Sequence, residues 1–137
     1  MSRRVQVGES ASLSRTVTEE DIELFARATG DCNPLHTDPI AAGESRFGAR
    51  IAHGLWTAGL ISAVLGTELP GPGTIYLEQS LRFRRPAFIG DVITARVEVL
   101  SWDEVRGIAR LETRCENQES KLVLEGEAVV LVDGPVP

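Results

Sequence analysis

The sequence predicts an α+β protein in which a curved antiparallel β-sheet wraps a long central α-helix. Three observations carry this. From Gly54 onward, Leu55, Trp56, Ala58, Leu60, Ile61, Ala63, Val64 and Leu65 leave almost no polar side, the pattern of a helix surrounded by protein. Four later runs alternate with period two: Ile75, Leu77, Leu81 and Phe83; Ile93, Ala95, Val97 and Val99; Ala109, Leu111 and Cys115; and Leu122, Leu124, Ala128, Val130 and Val132. Each run places its apolar side chains on one face of a strand. At 137 residues the chain has the size of one domain, 1–137. Such a length buries about two-thirds of the surface that the unfolded chain exposes.

Taken in order, Ser12 to Val17 alternates and predicts a short strand. Thr18 then caps a helix: its hydroxyl can accept from the amide of Asp21, and Glu19, Glu20 and Asp21 set negative charge at the positive end of the helix dipole. Ile22, Phe25, Ala26 and Thr29 share one side, and Gly30 closes the helix. Pro39, Gly43 and the Ile40-Ala41-Ala42 run predict a brief helix inside a long loop from Thr37 to Phe47. Gly66 can end the buried helix, and Pro70-Gly71-Pro72-Gly73 is a turn-forming connection. Gly90-Asp91, Trp102-Asp103-Glu104 and Asn117-Gln118-Glu119 fall between the alternating runs and suit the turns of an antiparallel meander.

Composition narrows the function classes. A net charge of −6 argues against nucleic acid or an anionic membrane surface as the main partner, since both need a basic field. Cys32 and Cys115 are isolated thiols without a second Cys or His at metal-ligand spacing, so both are expected to be reduced and neither suggests zinc. Met1-Ser2-Arg3-Arg4 is followed by no apolar run of the secretory type. The apolar stretch Leu55 to Leu65 is about half the length that spans a bilayer. The expectation is a cytoplasmic protein.

The chemistry is expected in Gly30-Asp31-Cys32-Asn33-Pro34-Leu35-His36, read as a stiff, non-regular turn. Asp31 and His36 can share one water there, the carboxylate as base and the imidazole as its proton-handling partner. The same residues also suit a plain Asx turn after a helix. Cys32 beside His36 raises a thiol nucleophile, but nothing supplies that pair with its own orienting acid and oxyanion site. Gly54 begins a helix whose first amides lack intrahelical acceptors, so its N–H can face an oxygen gaining negative charge. Tight packing would also explain a glycine there. His53, just before it, is expected to hydrogen-bond nearby backbone.

Gly30-Asp31, Asn33-Pro34 and His36, followed by Phe47-Gly48-Ala49-Arg50-Ile51-Ala52-His53-Gly54, resemble the paired motifs of the MaoC-like (R)-specific enoyl-CoA hydratases, over roughly Val17 to Val132. The resemblance implies the hot dog fold, with a motif-bearing overhang at about residues 30–53. It implies reversible addition of water to a trans-2-enoyl thioester, giving an (R)-3-hydroxyacyl-CoA, without metal or cofactor. Asp31 and His36 would be catalytic, Asn33 would fix the turn or orient the pair, and Gly54 would polarise the thioester. Ser62 matches a serine that the family places in its acyl pocket. Otherwise it is a helical hydroxyl bonded back one turn. Arg82, Arg84 and Arg85 are the densest basic cluster; Arg84 and Arg85 are candidates for the phosphates of coenzyme A, or else part of a solvated strand face. The implied partner, besides acyl-CoA, is a second copy of the chain in a homodimer. An acyl-CoA thioesterase, a 3-hydroxyacyl-carrier-protein dehydratase and a non-enzymatic acyl-CoA-binding subunit remain the alternatives.

Overall fold

Period-two alternation decides the sheet, and the computed structural model, which describes residues 4–132, joins every described strand into it. The strands are β1 (Ser10–Thr16), β2 (Thr74–Gln79), β3 (Arg82–Phe83), β4 (Val92–Asp103), β5 (Ile108–Glu116) and β6 (Leu122–Val132). Their order is β1-β4-β5-β6-β2, all antiparallel, with β3 also pairing to β6. Only β4-β5-β6 is a meander; β1 and β2 dock on its two outer sides. Residues 1–3 and 133–137 of the expected domain lie outside the described residues.

The helices among the described residues are α1 (Glu19–Thr29), α2 (Pro34–Thr37), α3 (Pro39–Gly43) and α4 (Gly54–Thr67). Thr18 Oγ1 accepts from Asp21 N at 3.1 Å, and Gly30 ends α1 at φ +83°, a conformation in which a side chain is strained. The core forms where α4 crosses the sheet. Leu60, Ile61, Val64 and Leu65 of α4 are buried with Ile93, Ala95, Val97 and Val99 of β4, Leu111 and Cys115 of β5, and Leu124 and Val130 of β6. Burying each of the larger of these side chains contributes roughly 1.5–3 kcal/mol, so this crossing is the main stabilising contact.

Several sequence expectations need correction. Asn33 does stay out of the helical region, at ψ 126°, but Pro34 to Thr37 is not irregular: Pro34 occupies the first position of a helical turn, where its fixed φ and missing N–H cost nothing. Gly66 lies inside α4, which runs on to Thr67. Trp102 and Asp103 belong to β4, and the hairpin turns at residues 104–107, where the Asp103 carboxylate accepts from Val105 N and Arg106 N. Helix α4 is not surrounded by the described chain, because Gly54, Leu55, Gly59 and Ser62 face outward and Leu55 is 61% exposed. Nor is β2 buried on one face: Ile75, Tyr76 and Leu77 are 47%, 40% and 48% exposed. Composition reports that a segment is apolar, not which molecule covers it.

Candidate active site

Each half of the motif is placed by main-chain chemistry. Asp31 Oδ1 accepts from Asn33 N at 3.2 Å, and Asn33 Oδ1 accepts from Leu35 N at 3.0 Å, so two consecutive Asx turns carry the chain from α1 into α2. That turn presents His36, whose Nδ1 lies 2.7 Å from the carbonyl oxygen of Ile51. A carbonyl only accepts, so Nδ1 carries the proton and Nε2 is left with a lone pair. Arg50, 8% exposed, donates from Nε to the His36 carbonyl at 2.6 Å and from Nη1 to Glu19 at 2.7 Å, strapping α2 to the start of α1.

These elements close around a cavity of about 620 Å³. Asp31, His36, Gly54, Arg84 and Arg85 line it together. Asn33 does not, and its side chain serves the turn. Ser62 lies on the outward face of α4, two turns beyond Gly54 and outside the cavity. Arg82 faces a separate depression with Glu112, Glu125 and Glu127. Arg84 and Arg85 are each partly engaged, Arg84 Nε with Glu125 at 2.8 Å and Arg85 Nη1 with the Leu122 carbonyl at 2.9 Å. Each guanidinium retains further N–H donors. Cys32 is exposed and does not line the cavity, while burial pushes the Cys115 thiol up to about 12, leaving it protonated in the core.

Three features of the cavity are not legible in the motif. Phe47 and Phe83 form apolar wall, and Arg46, stacked over Phe47 at 5.8 Å, adds a third guanidinium. His53 is 2% exposed, lies 2.9 Å through Nε2 from the Asp31 carbonyl oxygen, and stacks on His36 with ring centroids 4.1 Å apart. It does bond backbone, but backbone 22 residues away.

One ligand atom from each of Asp31, His36 and His53 lies within 4.8 Å of the others. For the carboxylate and the His36 imidazole, that separation suits one water making a hydrogen bond of about 2.8 Å to each. Each histidine has its other ring nitrogen on a backbone carbonyl, and the two rings stack with an interplanar angle of 29°. The α4 N-terminus faces the same space. His53 provides no side-chain cap, and the Gly54 amide has no recorded acceptor among the described residues.

Comparison with known proteins identifies the family and the fold. The sequence pattern of the MaoC like domain matches residues 4–121. The chain belongs to that family. Among MaoC-like relatives, the (R)-specific enoyl-CoA hydratase of Aeromonas caviae is 44% identical over 94% of this chain and 96% of its own length. The 3-hydroxybutyryl-CoA dehydratase of Methylorubrum extorquens is 48% identical over 93% and 81%. The solved (R)-hydratase of A. caviae superposes with a TM-score of 0.91 at 44% identity, covering 94% of this chain and 98% of that one. The hot dog arrangement expected from the MaoC-like motif is therefore the fold of the chain, and the curated relatives are hydro-lyases.

Proposed function

We propose that the protein is an (R)-specific enoyl-CoA hydratase, catalysing reversible addition of water to a trans-2-enoyl thioester. The observation that carries this reading is the Asp31 carboxylate within 4.8 Å of the His36 imidazole, on the wall of a cavity that also contains the α4 N-terminus. A water between Asp31 and His36 Nε2 gives up a proton to the pair as its oxygen bonds to C3. The C2–C3 π bond breaks and its electrons move onto the thioester oxygen, which the Gly54 N–H stabilises. The proton returns to C2 through the same pair. Hydration is redox-neutral, so the reaction calls for no redox cofactor. The guanidinium groups of Arg84, Arg85 and Arg46 supply cationic donors for the phosphates of coenzyme A. The relatives' names support the (R) product. No described helix is long and apolar enough to cross a membrane, and a cytoplasmic site of action fits a coenzyme A substrate.

The test is crotonyl-CoA. Enoyl absorbance is expected to disappear without release of free thiol, and the product is expected to be the (R) enantiomer. Thiol release with the alkene intact would identify a thioesterase instead.

Gly54→Val probes the carbonyl-binding amide. A Cβ at Gly54 would lie 2.6 Å from Phe83 Cε1, so the ring must move, and at 54% exposure it can swing outward. The new methyl groups then occupy the approach to the amide. A kcat loss of about tenfold or more is expected, with the melting temperature measured alongside to separate crowding from unfolding. A folded variant with wild-type kcat and KM would exclude close approach of substrate at Gly54.

The protein is also proposed to be a homodimer. The sheet ends at β2 with its pairing edge and both faces open, and α4 beside it leaves Leu55 uncovered. A second copy can pair along β2 and cover these side chains at once. Light scattering at micromolar concentration should report twice the chain mass; a monomer would refute the assembly.

A further inference from the structure

We infer that His53 is a positioning residue that holds both members of the water-handling pair, donating from Nε2. The inference rests on the hydration reading for its kinetic consequence, though not for the tautomer. Asp31 sits in an exposed loop, and its other described bonds are local: its amide donates to Thr29 Oγ1 at 3.2 Å and its carboxylate accepts from Asn33 N. The 2.9 Å bond from His53 to the Asp31 carbonyl is the described hydrogen bond that ties this residue to the core of the fold. Because the carbonyl carbon is bonded to the Asp31 Cα, fixing that peptide fixes the direction in which the carboxylate leaves the chain.

The second half of the role is carried by the ring face. His53 contacts His36 at a centroid distance of 4.1 Å and Phe25 at 4.5 Å, so α1 presses through Phe25 on the imidazole that His36 leans on. One side chain at the start of α4, the helix that crosses the core, thus sets the Asp31 main chain and the His36 plane together. The Asp31 carbonyl requires a proton on Nε2, and Nδ1 has no partner among the described residues.

Two replacements divide the hydrogen bond from the packing. His53→Gln can place its amide nitrogen near the present Nε2 and keeps the donor; His53→Phe keeps a ring against His36 and donates nothing. With crotonyl-CoA, both variants are expected below wild-type kcat, the Gln variant through loss of the ring face and the Phe variant about 30-fold or more through loss of the donor, with KM changed less than about twofold, the pattern of reacting groups misplaced rather than substrate lost. A folded Phe variant with wild-type kcat overturns the proposal. Because the Phe variant can fail to fold, nitrogen NMR of labelled imidazoles in the unaltered protein gives a second readout. A proton on His53 Nε2 is expected at neutral pH, and the Nδ1–H tautomer overturns the proposal. If the unaltered protein does not hydrate crotonyl-CoA, the hydration reading falls, while the tautomer still decides the assignment of His53.

Discussion

Asp31→Asn is expected to leave the fold intact and to lower the hydration rate by about 10²-fold or more, the usual loss when a general base is removed. The amide has nearly the size of the carboxylate, and its oxygen can still accept from Asn33 N, so the Asx turn at the end of α1 survives. It cannot take a proton from water. The measurement is kcat with crotonyl-CoA on a variant whose melting temperature matches the unaltered protein. Retention of more than about a tenth of the rate would remove Asp31 from the role of base.

His36→Asn is the complementary test. An asparagine at this position can donate from Nδ2 to the Ile51 carbonyl, replacing the bond that His36 Nδ1 makes at 2.7 Å, but nothing then occupies the place of Nε2. The expected outcome is a loss of about 10²–10⁴-fold in kcat. Its double variant with Asp31→Asn is expected to fall little below the worse single variant, because two groups acting on one water fail together. Independent, multiplying losses would separate Asp31 and His36 into different steps.

Short-range features of the chain were readable residue by residue. The Thr18 cap, the left-handed Gly30 and the inward faces of β4, β5 and β6 each depend on neighbours within a few positions or on strict alternation. Asp31 and His36 are five residues apart, and the motif that joins them brings them to one cavity. What escaped the sequence depends on distant partners. The stacking of His53 on His36 and the strap from Arg50 to Glu19 connect residues that no local pattern relates. The same limit explains α4 and β2, where an apolar run is equally consistent with burial in one chain or between two. Ser62 shows a different limit, since helical periodicity placed it on α4, on the face shared with Gly54 and Leu55, but could not say that it lies beyond the cavity lining.

The groups that hold the pair are the carbonyls of Asp31, His36 and Ile51, each receiving a donor from elsewhere in the chain. Every residue has a carbonyl, so exchanging Ile51 for another side chain deletes none of these anchors. Inserting or removing one residue between His36 and Ile51 moves an anchor by about 3.8 Å, the spacing of successive Cα atoms, and breaks the registration outright. Drift by substitution and drift by indel therefore meet different tolerances in this loop: apart from buried Ala42, Arg46 and Phe47 of the cavity wall, and Arg50, which donates to the His36 carbonyl, the segment from Thr37 to Arg50 accepts changes of letter more readily than changes of length.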